Sequence, residues 1–196
     1  MGVVIVSGGI GAGKSTVGAY LARRGYLVVD ADDAARETAA PGGPVWGAVV
    51  DAFGTAALAE DGTLDRAFLA GVVFRDTSAR RRLEAITHPA ILQRLREQLA
   101  ASGDPWAFAT VPLYRPELRE LLGASVVWAV VADPAVALRR LVTTRAMTEE
   151  DARRRLDAQV GNDERAAWAD VVIANDGSLP ELHAAVDRAL AELVGA

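Results

Sequence analysis

The chain has 196 residues, a formal charge of −5, 51% hydrophobic residues and no cysteine. Its length suits one domain with a small insertion, and its composition excludes disulfides, thiolate metal sites and cysteine nucleophiles. The acidic balance argues against a general nucleic-acid binder, and no apolar run approaches the roughly 18 residues of a membrane span. The expectation is a soluble, cytoplasmic protein with no nucleic-acid or membrane partner and no evident obligate protein partner.

Met1 to Ser7 reads as a short buried strand leading straight into Gly8-Gly-Ile-Gly-Ala-Gly-Lys-Ser-Thr16. That stretch fits G-x-x-x-x-G-K-[ST], and Thr16 to Arg24 reads as the helix the motif requires after it. Glycines let successive N–H groups point at phosphate oxygens, and the helix N-terminus adds partial positive charge. Lys14 is expected to reach the β- and γ-phosphates, and Ser15 to ligate Mg²⁺. The competing reading is a glycine-rich strand-to-helix turn of another α/β protein.

Tyr26 to Asp30 reads as a second strand that delivers Asp30-Ala-Asp-Asp33 to its carboxyl end, the ligand side of an open parallel sheet. These acids can do chemistry, or Asp32 or Asp33 can simply cap a helix over 34–39. After Pro41-Gly-Gly-Pro44, short helices are expected to about residue 101: Val45 to Phe53, Leu64 to Phe74, one from Ser78 ending before Pro89, and one over 89–101. This reads as a helical insertion, a natural place for an acceptor substrate. His88 falls at the junction of the last two helices, where a lone histidine is either structural or a ligand contact.

Trp106 to Val111 is the third strand, 116–122 a short helix, and Val126 to Val131 a fourth, doubly buried strand. Asp133-Pro134 opens a helix to about Arg145. Thr148 with Asp151 caps another to about Val160, with Glu149–Arg153, Glu150–Arg154 and Asp151–Arg155 spaced for pairing. Val171 to Ala174 is the fifth strand, and Ser178 with Glu181 caps the last helix, in which His183 is expected at the surface. Five strands alternating with helices predict one α/β domain on a parallel sheet.

A phosphate loop alone does not separate a kinase from a switch or a motor. Asn175-Asp-Gly-Ser178 is not the guanine-reading Asn-Lys-x-Asp, and the third strand ends Ala-Thr-Val-Pro112 without an acid. The strand-end acid lies instead in Asp30-Ala-Asp32, which suits a small-molecule kinase: an aspartate there can orient an acceptor hydroxyl and take its proton. Arg139, Arg140 and Arg145 fall where a lid over ATP is expected, though charged residues on such helices are commonly solvated surface.

The phosphate loop, Val29-Asp-Ala-Asp32 with Ala35-Arg36, Asp61-Gly-Thr-Leu-Asp-Arg66, His88-Pro-Ala-Ile91, Val111-Pro-Leu113, Ala158-Gln159, and Asn175 with Gly177 occur in that order. Together they resemble the dephospho-CoA kinase family nearly end to end. The resemblance implies a three-layer P-loop kinase fold like the nucleoside monophosphate kinases. Its core would span about 1–36, 102–139 and 166–196, its helical CoA-binding insertion 37–101 and its lid 140–165. It also implies transfer of the ATP γ-phosphate to the ribose 3′-hydroxyl of dephospho-CoA, with Mg²⁺.

By the same resemblance Lys14, Asp32 and Arg145 are catalytic, with Asp32 as the base. Gly9, Gly11, Ala12, Gly13, Lys14, Ser15, Thr16, Asn175 and Gly177 belong to the ATP site. Asp32, Arg36 and His88 lie on the acceptor side. The chain departs from the family at Tyr114-Arg-Pro116, where apolar residues and a glutamate are usual, and over 160–165, where a lysine is frequent. Two other readings stand beside this one: a kinase for another nucleoside or nucleotide hydroxyl, and a nucleotide-binding protein without catalysis.

Overall fold

A computed structural model describes residues 2–195. Five strands, β1 (Gly2–Gly8), β2 (Leu27–Asp30), β3 (Trp106–Val111), β4 (Val126–Val131) and β5 (Val171–Ala174), form one parallel sheet in the order β2-β3-β1-β4-β5. β1 lies at the centre, Val4 opposite Phe108 on one side and Val126 on the other. The chain leaves β1 for the β2 edge and later crosses to the β4 edge. The loop after β1 therefore sits at the switch point, where open α/β sheets bind ligands.

On one face of the sheet Val4, Val6, Phe108, Trp128, Val130 and Ile173 pack against α1 (Lys14–Arg23) through Val17 and Leu21. They also pack against α10 (Leu179–Gly195) through Leu182, Val186 and Leu190. Every residue of β1 from Val3 to Gly8 is buried, which explains its unbroken apolar reading. His183, expected at the surface, is half-buried and stacks on Tyr20 with ring centroids 4.0 Å apart. Tyr20 lies within reach because α1 packs on α10, and its hydroxyl donates to Asp187 at 2.8 Å.

Packing divides the chain into two compact units, one comprising Asp30–Ala100 and the other the remainder. The helical unit contains α2 (Ala31–Thr38), α3 (Pro44–Phe53), a 3₁₀ turn (Thr55–Ala57), α4 (Arg66–Arg75) and α5 (Thr77–Ala100). Its core is Val45, Val49, Ala57 and Leu69, flanked by Phe53, Phe68, Leu83, Ile86 and Ala90.

Two expectations are corrected here. The helices on either side of Pro89 are one continuous 24-residue helix, α5. Pro89 deprives the Ala85 carbonyl of its donor, but Ala85 is exposed to solvent, and Leu83, Ile86 and Ala90 hold both sides of the proline to one core. The start of α5 is bound by Asp76, whose carboxylate accepts from the Ser78 N–H at 2.7 Å; Ser78 is not the cap.

In the unit that carries the sheet, α6 (Glu117–Leu121) precedes β4, and α7 (Pro134–Arg145) follows it with Asp133 as its cap. α8 (Glu149–Asp157) is shorter than expected, because a further helix, α9 (Asn162–Ala167), follows a break at Gly161. On α8, Glu149 pairs with Arg153, but Arg154 pairs with Asp151 one turn below rather than with Glu150.

Candidate functional site

The phosphate loop is shaped by two glycines in the left-handed region, Gly11 at φ 77° and Gly13 at φ 96°, which other residues adopt only at a cost. Gly13 ends the loop as the N-cap of α1, its carbonyl accepting from Thr16 N at 2.9 Å and Val17 N at 3.1 Å. Lys14 and Ser15 are the first two residues of that helix, so the loop closes on a helix N-terminus and the positive end of the helix dipole. Lys14 and Thr16 are half-buried, the Ser15 residue is exposed, and Ala12 is buried beneath the loop.

Two side chains outside the motif bond this loop directly, Asn175 and Gln159, and two arginines support them. The Asn175 side-chain amide donates to the Ala12 carbonyl at 2.7 Å, and Asn175 is only 6% exposed. Arg140 on α7 in turn donates to the Asn175 backbone carbonyl at 2.8 Å. On the opposite arm the Ile10 N–H donates to Gln159 Oε1 at 3.0 Å, and the same oxygen accepts from Arg165 Nη2 at 3.0 Å. Arg165 is 8% exposed, and burial pushes its guanidinium below its ordinary value.

Of the expected donor residues, Gly9 and Gly11 to Thr16 thus form one loop. Asn175 is joined to it through the end of β5, while Gly177 lies in the exposed turn after Asn175. Arg145 is the last residue of α7 and exposed; among the described residues it has no hydrogen-bond or ion-pair partner. Gln159 enters the sequence reading only as part of Ala158-Gln159, and the roles of Gln159, Arg165 and Arg140 in holding the loop escaped it. A signal existed for Arg165: positions three and four away on either side are Asn162, Gly161, Trp168 and Ala169, which offer no helical acid to pair with it.

The acidic segment belongs to the helical unit. Asp30, not Asp32 or Asp33, caps α2, its carboxylate accepting from Asp32 N at 2.7 Å and Asp33 N at 3.3 Å. Asp33 is ion-paired with Arg36 one turn on. Asp32 is thereby left over: it is exposed, and among the described residues its carboxylate has no hydrogen-bond or ion-pair partner. His88 is exposed in the middle of α5, not at a junction.

At the departure over 114–116, Tyr114 is buried and meets Trp168 edge-on with centroids 6.4 Å apart, and burial raises its phenol pKa. Tyr114 is therefore a packing residue. Arg115 and Glu117 are exposed.

A family model described as dephospho-CoA kinase matches residues 2–181. A dephospho-CoA kinase of Streptomyces avermitilis is 46% identical over 191 residues, covering 96% of this chain and 92% of the relative. The crystal structure of a Thermus thermophilus protein superposes with a TM-score of 0.82 at 30% identity, covering 98% of this chain and 97% of that one. A dephospho-CoA kinase from Campylobacter jejuni superposes at 0.64 with 23% identity, covering 97% and 96%, a likeness of fold.

Proposed function

The chain belongs to the dephospho-CoA kinase family, and on that footing we propose that it transfers the γ-phosphate of ATP to the ribose 3′-hydroxyl of dephospho-CoA, giving CoA and ADP. The observation that carries the donor half is the loop itself: two left-handed glycines leading into a helix that begins Lys14-Ser15. The loop N–H groups and the helix terminus hold the polyphosphate, and Lys14 adds a point charge to the β- and γ-phosphates.

Among the described residues no group of three or more His, Cys, Asp or Glu could hold a metal ion. The donor set fits Mg²⁺ carried mainly by the nucleotide's own oxygens, with the Ser15 hydroxyl as protein ligand. Such an ion supplies charge neutralisation to the phosphates.

Asp32 is the acceptor-side base. It takes the proton of the 3′-hydroxyl, whose oxygen bonds to the γ-phosphorus as the bond to the β–γ bridging oxygen breaks and ADP departs. An exposed carboxylate freed of capping duty by Asp30 suits that task. Arg36 and His88 contribute to acceptor binding, Arg145 to the ATP phosphates, and Gly177 with Asn175 to the adenine side. No helix is long and apolar enough to cross a membrane among the described residues, and we place the reaction in the cytoplasm.

The test is a phosphotransfer assay with ATP and dephospho-CoA, with the new phosphate mapped by NMR. CoA phosphorylated at the 3′-oxygen is the expected product. ATP consumption with a nucleoside panel but not with dephospho-CoA would move the protein to another acceptor.

A further inference from the structure

The guanidinium of Arg165 lies beside the phosphate loop with most of its donors unused by the protein. It is 8% exposed on α9, yet among the described residues no carboxylate lies within 4.0 Å of it. Its five N–H donors have one hydrogen-bond acceptor there, the uncharged Oε1 of Gln159 at 3.0 Å. Burying a cation is costly, and such side chains are ordinarily paired; here Glu164 acts on the guanidinium only from beyond ion-pair distance, and Nε and Nη1, which meet no protein acceptor among the described residues, keep contact with solvent.

The guanidinium also lies against the loop's first arm. A Cβ on Gly9 would sit 3.0 Å from Arg165 Nη1 and 3.2 Å from Cζ, so the guanidinium packs tightly on the bare backbone of Gly9. Gln159 ties the two together, since the same oxygen accepts from Ile10 N at 3.0 Å. An amide at position 159 orients Arg165 without neutralising it, whereas a glutamate there would form an internal ion pair.

We propose that Arg165, held by Gln159 against Gly9, is a second cation of the donor site and binds the terminal phosphate of a nucleoside triphosphate. Lys14 serves the β- and γ-phosphates from the helix end of the loop; Gly9 and Ile10 form the other arm, and a cation beside that arm meets the terminal phosphate from the other side, where charge moves during transfer. This rests on the phosphate loop binding nucleotide and not on the identity of the acceptor.

The experiment is calorimetric titration of wild type, Arg165→Met, Arg165→Lys and Gln159→Glu with MgATP and with MgADP, no acceptor present, alongside thermal melting of each protein. Arg165→Met should weaken ATP roughly 10- to 100-fold, the range of a charge-assisted hydrogen bond, and ADP far less. Arg165→Lys should recover part of the ATP affinity. Gln159→Glu should weaken ATP selectively without lowering the melting temperature.

Equal losses for ATP and ADP would make Arg165 a loop support only and overturn the proposal, as would unchanged ATP affinity. If Arg165→Met does not fold, Arg165→Lys and Gln159→Glu carry the same comparison. Wild-type protein that binds ATP with this selectivity but does not phosphorylate dephospho-CoA would refute the acceptor and leave the role of Arg165 standing.

Discussion

Asn175, at the end of β5, donates its side-chain amide to the carbonyl of Ala12 at 2.7 Å, so the last strand of the sheet holds the loop that follows the first. Ala12 is buried, and without this donor its carbonyl has to be desolvated unpaired. Asn175→Ala should cost about 1–3 kcal/mol in urea unfolding. It should also raise the KM for ATP while leaving the KM for dephospho-CoA near its original value, because the damage lies on the donor side.

Gly13 makes the complementary prediction. Its φ of 96° strains any other residue, and a Cβ there would collide with the Asn175 amide. Gly13→Ala should therefore destabilise by more than the roughly 1–2 kcal/mol of a left-handed non-glycine residue. Combined with Asn175→Ala, which removes the colliding amide, the cost should be less than the sum of the two, a coupling that a double-mutant cycle reads directly.

Asp30 and Asp32 should separate stability from catalysis. Asp30→Ala removes the cap of α2 and should cost about 0.5–2 kcal/mol by thermal or denaturant melting. Asp32→Asn should leave the melting temperature unchanged and lower kcat roughly 10²- to 10⁴-fold, with ATP affinity retained by calorimetry. Unimpaired turnover in Asp32→Asn would remove it as the base.

The start of α10 predicts an acid-side loss of stability. Glu181 accepts from the Ser178 N–H at 2.6 Å and from its hydroxyl at 2.7 Å, and these bonds hold its carboxyl below the usual glutamate range. The folded value is the lower one, so the stabilisation is present above the ordinary glutamate value of about 4.3. It fades as pH falls through the lower folded value. Glu181→Gln should flatten the acid limb of the stability profile and leave the neutral limb's slope unchanged, as followed by melting temperature from pH 7 to pH 3.

Local chemistry in the chain was enough for much of this protein. The run from Val3 to Ser15 announces strand, loop and helix because a buried parallel strand must be continuously apolar and a phosphate loop needs glycine at fixed places. Trp106–Val111 and Val126–Val131 were legible to the residue for the same reason. Asp32 could be singled out as a candidate, but among three neighbouring acids only the folded chain decided that Asp30 caps, Asp33 pairs with Arg36 and Asp32 is spare.

The tertiary structure alone decided the rest, because those features depend on partners far away in sequence. α5 runs through Pro89 because a shared core grips both of its halves, which outweighs a local helix breaker. Asn175 is 163 residues from Ala12, and Gln159 is 149 from Ile10. No spacing rule connects such pairs; the parallel sheet does, by bringing the ends of β1, β4 and β5 to one edge. A motif of eight residues, Gly8 to Ser15, therefore names the phosphate loop, while the fold chooses the amide that anchors it and the buried arginine beside it.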